Sequence, residues 1–144
     1  MAGIINETSA VPSRIVTMLQ DEIIINPATP ITIPKGQTVV LNADWLLGNY
    51  KGFFLYAFAT FAAGSDGDLE IQFCPKIPTE EAFSANVWGR MNIAKNIVTP
   101  FQRPAFLDFD AVFSSRRFQV KAYNKNTAAG SSVVLNKLYV TKVI

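Results

Sequence analysis

The sequence has no histidine in its 144 residues. Histidine is the commonest general base, the usual activator of a serine or cysteine nucleophile, and the commonest zinc ligand. Its absence disfavours most hydrolases and most metalloenzymes. We therefore expect no catalytic residue, no bound metal and no cofactor, and we predict that the protein is not an enzyme.

Cysteine is almost absent too. Cys74 is the single cysteine, so no disulfide forms within the chain, and one unpaired thiol is compatible with a reducing compartment. The longest apolar run, 52–64, is too short for a membrane-spanning helix. The first residues lack the basic region and apolar segment of a signal peptide. We expect a soluble product made in a cytoplasm, with no membrane partner.

Charge is scarce, at 17% of the residues. Thirteen Lys and Arg stand against eleven Asp and Glu, which gives a net charge of +2. The basic residues are scattered rather than clustered, so we expect no nucleic acid partner. Hydrophobic residues make up 49% and include eleven Phe. That composition excludes a disordered chain, and the length suits one domain whose core needs no disulfide.

Short apolar runs separated by proline and glycine are typical of an all-β chain. The runs 68–73 and 117–123 alternate cleanly between apolar and polar residues. Each is therefore expected to have one buried and one solvent-exposed face. The predicted strands are 15–19, 22–25, 31–33, 37–41, 52–61, 68–73, 87–93, 105–113, 117–123 and 133–143. A short helix is predicted over 79–85.

Many strands with almost no helix to cover them predict an antiparallel two-sheet sandwich that is jelly-roll-like. An immunoglobulin sandwich is disfavoured because its Cys and Trp framework is absent. We predict one domain, with an extended N-terminal arm and first strands over 1–34 and the β-sandwich over 35–144. Prolines 12, 27, 30 and 34 interrupt the first part. We expect the arm to pack on its own or a neighbouring subunit.

The run 52–61 is apolar on both faces of a strand. Phe54, Tyr56 and Phe58 share one face, and smaller apolar residues alternate with them on the other. A sandwich buries only one face of each sheet, so the second needs a cover. A neighbouring subunit is the commonest cover; an overhanging loop or the N-terminal arm is the alternative. Phe106 lies on a partly apolar face of the run 105–113. We predict oligomer contacts at Phe54, Tyr56, Phe58 and Phe106.

A second hypothesis rests on aromatic residues that we place in or near loops. These are Trp45, Trp88, Tyr50 and Tyr123, whose rings could stack on a sugar. The alternative function is therefore a carbohydrate-binding module or a receptor-binding domain. In such loops, rings that bury against the core are the competing interpretation.

Two groups of carboxylates are the remaining candidates for chemistry. The run 66–70 has carboxylates at alternate positions beside a glycine, as at the start of a calcium loop, but a plain hairpin turn is favoured. Asp108 and Asp110 share one face of a strand, where they could act as an acid and base pair or hold a metal. A third hypothesis is a histidine-free glycosidase that uses Asp108 or Asp110 with a partner carboxylate. A solvated face is the favoured interpretation of that pair.

Three features together resemble the small jelly-roll structural proteins of phage and virus particles, such as capsid decoration proteins. They are the proline-interrupted lead 1–34, the doubly apolar strand 53–61, and the hairpin from 118–123 to 133–135. The resemblance implies a homo-oligomer, most often a trimer, that bridges and stabilises capsid subunits in the virion. A bacterial surface or spore filament subunit is a related possibility, although a single cysteine disfavours the cysteine-rich types.

Overall fold

The computed structural model describes residues 19–48, 50, 52–76, 87, 89–95, 101–106 and 116–143, apart from the side chains of 19–21, 101–106 and 143. The strands of this part are β1 (Leu19–Ile25), β2 (Ile31–Ile33), β3 (Thr38–Leu46), β4 (Gly52–Phe61), β5 (Leu69–Pro75), β6 (Gly89–Ile93), β7 (Phe101–Phe106), β8 (Arg117–Asn124) and β9 (Val133–Val143). The described residues form no helix, hence none that could cross a membrane. The helix predicted over 79–85 lies outside them, as do residues 1–18.

The strands form two antiparallel sheets. The first sheet has the order β1-β9-β4-β7, with β2 also paired to β9, and the second has the order β3-β8-β5-β6. The pairs nest along the chain: β1 and β2 with β9, β3 with β8, β4 with β7, and β5 with β6. This nesting is one long hairpin wound over two sheets, which is the jelly-roll arrangement. The predicted jelly-roll-like sandwich is confirmed.

The core lies between the two sheets and is supplied by alternate residues of each strand. On β4 the inward side chains of Phe53, Leu55 and Ala57 are fully buried, and on β8 Val120 and Ala122 are as well. Each buried Leu or Phe contributes about 2 kcal/mol to the free energy of folding. Because the side-chain period of a strand is two, this burial also determines which residues face away from the core.

Several strands differ from their predicted bounds. Within the described residues, the strands predicted at 15–19 and 22–25 are one strand, β1. Two further differences have identifiable reasons. The strand predicted at 105–113 is observed as β7, which starts earlier and includes Pro104; residues 107–113 lie outside the described part. β7 ends the order of its sheet, and proline is tolerated in such an edge strand. The strand predicted at 37–41 continues to Leu46. Two β-bulges keep β3 paired with β8 past the run 42–44, which contains Asn42 and Asp44.

The first part of the chain enters the sandwich before residue 35. Both β1 and β2 pair with β9, so they are two pieces of one edge separated by residues 26–30. The predicted boundary between an arm over 1–34 and a sandwich over 35–144 stays a prediction.

Candidate functional site

The outer surface of the first sheet carries a group of apolar side chains. Phe54, Tyr56 and Phe58 of β4 all point away from the core and are half-buried. The register places Tyr56 beside Tyr139 of β9, with the ring centroids 4.6 Å apart and the planes tilted by 35°. Ring pairs at such a distance are favourable beyond the apolar area that they bury. The sheet therefore holds an aromatic pair at its centre.

Two further residues complete this surface. The Lys137 ammonium lies 5.4 Å from the centre of the Tyr56 ring and 5.0 Å from that of Tyr139, which is cation–π distance. Ile23 of β1 is paired with Tyr139 in register and is 59% exposed. We call the surface formed by Ile23, Phe54, Tyr56, Phe58, Lys137 and Tyr139 the aromatic face.

Three of the four residues predicted as oligomer contacts lie on the aromatic face. They are Phe54, Tyr56 and Phe58. Phe106 is paired with Gly52 through the β4–β7 ladder, but its side chain is outside the described part. Its role in an oligomer contact therefore stays a prediction.

Of the predicted stacking residues, Trp45 lies near the end of a strand and its ring is buried. Trp45 lies within β3, is paired with Phe118 of β8, and is 1% exposed. Its ring centroid is 5.3 Å from that of Phe53, in an edge-to-face arrangement that spans the two sheets. Trp45 shares its parity along the strand with Val39 and Leu41, which also pack against the core. A ring buried in the core cannot stack on a sugar.

The other predicted stacking residues do not gather at one place. Tyr123 is half-buried on β8, where it is paired with Thr38 on one side and Glu70 on the other. It therefore lies on the outer surface of the second sheet, whereas Trp45 faces inward. Tyr50 is partly buried and packs against the core. Trp88 lies outside the described residues.

The carboxylates of the run 66–70 are each bound by different groups. Asp66 accepts hydrogen bonds from the Thr127 hydroxyl and from the Thr127 amide, at 2.8 Å for the amide. The hydroxyl contact is the main cause that lowers the pKa of Asp66 from 3.8 to about 2. Asp68 accepts from the backbone amide of Lys95 at 2.9 Å. These two carboxyl groups hold loops together.

Glu70 is the third carboxylate of that run, and it is 6% exposed on β5. Its oxygens lie 2.8 Å from Lys125 Nζ and 3.3 Å from Arg90 Nε, and Gln72 donates to it at 2.8 Å. Burial alone would raise the pKa of Glu70, but the contacts with Lys125 and Gln72 and the charge of Arg90 lower it below its ordinary value. Among the described residues no cluster of three potential metal ligands occurs. Asp108 and Asp110 lie outside them.

The outer surface of the second sheet is charged, in contrast to the aromatic face. Besides the group around Glu70, it has an ion pair of 2.9 Å between Arg117 and Asp44. Two exposed apolar residues of β3, Val40 and Leu46, are scattered beside these charges, each 46% exposed. The two sides of the sandwich therefore present different chemistry to a partner.

One charged residue that the sequence analysis missed lies inside the sandwich. Lys142 of β9 is 6% exposed, and its ammonium is 2.5 Å from a carboxylate oxygen of Glu22 and 2.7 Å from the backbone oxygen of Leu46. The Trp45 ring centre is 5.3 Å away. The alternation of β9 contained the signal, since Lys142 follows the inward residues Leu138 and Val140 at the same spacing.

Comparisons with known proteins assign this chain to no family. No protein-family model matches the sequence, and neither does any curated protein sequence. One solved structure that is similar to this chain comes from work described as "Bacillus endospore appendages form a novel family of disulfide-linked pili". The similarity covers 88% of this chain and 89% of that chain, at 12% identity and a TM-score of 0.43. A similarity at that level supports no inference about function.

Proposed function

We propose that the protein is a non-enzymatic structural subunit that assembles with further copies of itself through the aromatic face. The observation that carries this proposal is the position of Tyr56, Phe58 and Tyr139 on the side of the sheet that faces away from the core. Exposed Ile23 extends the same surface to the edge of the sheet. A contiguous apolar surface of this kind on a protein that already has a core is typical of an interaction site.

A second copy is the partner that fits this surface best. Lys137 is the one charged residue on the face among the side chains that the structure describes, and its ammonium already lies beside the Tyr56 and Tyr139 rings. Closing the face against another apolar surface therefore desolvates little charge.

The setting of the assembly follows from the resemblance to capsid decoration proteins. The jelly-roll topology and the lack of histidine are compatible with that class. We infer on this basis a trimer that sits on a virus or phage particle, contacts capsid subunits, and is located in the virion. A trimer uses the same aromatic face around a three-fold axis.

The experiment is light scattering of the purified full chain over a dilution series. We expect a mass that is a multiple of 15.8 kDa, and three times that value supports the trimer. Tyr56→Lys and Phe58→Lys place a charge in the contact, so both variants are expected to remain folded by circular dichroism and to dissociate.

Val40→Lys is the matched control, because it adds the same charge to an exposed apolar position of the other sheet. Its mass is expected to equal that of the unchanged protein. A monomer at every concentration, or an oligomer that both face variants leave intact, would overturn the proposal.

A further inference from the structure

Among the described strands, β1 forms a ladder on one side alone. It pairs with β9 from Leu19 opposite Val143 to Ile25 opposite Leu138, with a bulge between Ile23 and Ile25. The sheet order places β1 at the end, so its other side has no strand neighbour among the described residues. An edge strand has fewer neighbours than a central strand, and such elements open locally most easily.

The connection between β1 and β2 is an exposed turn. Every residue of 26–30 is exposed, and two of them are proline. The turn is held locally, because Asn26 accepts the amides of Ala28 at 3.0 Å and Thr29 at 2.9 Å. β2 then pairs with β9 again. β1 can therefore leave while β2 keeps its place, with the change of direction confined to residues 26–30.

An ion pair of Lys142 links β1 to the interior of the sandwich. The side chain of Lys142 is 8% exposed and that of Glu22 is 35% exposed, and their 2.5 Å ion pair joins β9 to β1. The ammonium also donates to Leu46 of the second sheet and lies near the Trp45 and Tyr50 rings. None of these other groups carries a negative charge. Removal of β1 would take away the negatively charged partner that Lys142 has among the described residues, which is unfavourable while the ammonium stays between the sheets.

We propose that β1 is an exchangeable edge strand that the Glu22–Lys142 ion pair holds in place, and that its replacement on β9 is β1 of a second copy. When β1 leaves, backbone groups along the edge of β9 lose their hydrogen-bond partners and Lys142 loses Glu22. A replacement strand must therefore supply both the backbone hydrogen bonds and a carboxylate. β1 of another copy meets this need, because it carries the same Glu22 and the same Ile25, which is 4% exposed in the core.

An exchanged β1 makes the same contacts with β9 of the second copy as it made with its own β9. The free-energy cost of the exchange is therefore small beyond that of association and of the backbone change at residues 26–30. Proline in the connection favours an extended backbone, which is the conformation that a strand crossing to another copy requires. This contact is the β1–β9 ladder at the edge of the sheet. It includes Ile23 and Tyr139 of the aromatic face as register partners, but it does not need Tyr56 or Phe58.

The first test is amide hydrogen exchange on the full chain. Glu22→Gln is expected to speed the exchange of the β1 amides by about tenfold or more, while those of β5 and β8 keep their rates. Adding Lys142→Met removes the unpaired charge, so the double variant is expected to recover the β1 protection. Asp44→Asn, which breaks an exposed ion pair on β3, an edge strand of the second sheet, is the matched control and leaves β1 unchanged. Equal acceleration in all strands, or none in β1, would overturn the proposal.

The second test traps the exchanged strand between copies. Asp21→Cys and Thr141→Cys are register partners of β1 and β9, and each is placed in a separate chain that also carries Cys74→Ala and Tyr56→Lys. Tyr56→Lys removes the aromatic-face contact, so a failure of the proposed function does not affect this result. Mixing and mild oxidation are expected to yield a mixed disulfide dimer, faster with Glu22→Gln. Val40→Cys in place of Thr141→Cys is expected to yield none. No mixed disulfide from the register partners contradicts the exchange.

Discussion

Asn126 and Asp66 bind each other's loops reciprocally. The Asn126 side-chain oxygen accepts the backbone amides of Asp66 and Gly67, both at 2.7 Å, while the Asp66 carboxylate accepts the amides of Thr127 at 2.8 Å and Ala128 at 3.3 Å. Asn126 is 1% exposed. Buried polar groups of this kind must be fully hydrogen-bonded to be tolerated. The pair therefore joins the β4–β5 connection to the β8–β9 connection.

The Asp66 side of this pair predicts a pH dependence of stability. The pKa of Asp66 is lowered from 3.8 to about 2 in the folded protein. A carboxyl whose pKa is lower when folded contributes stability above its unfolded pKa, and that contribution is lost as the pH falls through the folded pKa. The contribution of Asp66 is therefore complete above pH 3.8 and is lost towards pH 2.

Asp66→Asn is expected to be less stable than the unchanged protein at neutral pH, and the difference is expected to shrink as the pH is lowered through that window. The measurement is urea unfolding at a series of pH values. Asp44→Asn, an exposed carboxylate of the other sheet, is the control. A stability difference that stays constant down to pH 2 would contradict this account of Asp66.

Gly67 lies in the same contact and predicts a steric effect. A Cβ at Gly67 would be 2.7 Å from both the backbone carbon and the oxygen of Lys125, and the backbone cannot give way easily. Gly67→Ala is expected to lower the free energy of unfolding by about 2 kcal/mol or more. At Gly64, where φ is +80° and a Cβ meets nothing, Gly64→Ala is expected to cost about 1 kcal/mol from backbone strain alone. Equal losses in chemical denaturation would show that the Lys125 contact is unimportant.

Trp45 predicts a spectroscopic and an energetic result. In a Trp88→Phe variant the remaining tryptophan is Trp45, and a soluble quencher is expected to reduce its fluorescence only weakly until the protein unfolds, because its ring is 1% exposed. Trp45→Ala is expected to lower the free energy of unfolding by about 4 kcal/mol, since it leaves a cavity between the sheets. Tyr123→Ala, a half-buried ring on the outer surface, is expected to cost less. Strong quenching in the native state would contradict the buried position.

Local alternation of side chains predicted the strands and their faces well. The bounds 52–61 and 133–143 agree with β4 and β9, and the outward direction of Phe54, Tyr56 and Phe58 follows from the period of two. The predicted strand bounds were wrong at Pro104 and in the run 42–44. An edge position and two bulges accommodate residues there that would break a central strand. These are properties of a residue's neighbours in space, which local sequence does not show.

The amino-acid sequence by itself determined that this is an all-β sandwich without histidine, and that one strand has an aromatic second face. The tertiary structure alone decided that Trp45 faces the core, that Lys142 meets Glu22, and that the early strands pair with the late ones. Glu22 and Lys142 approach to 2.5 Å although most of the chain separates them. The burial of a charge or a ring depends on such long-range pairing, whereas the period of a strand depends only on the backbone between adjacent residues.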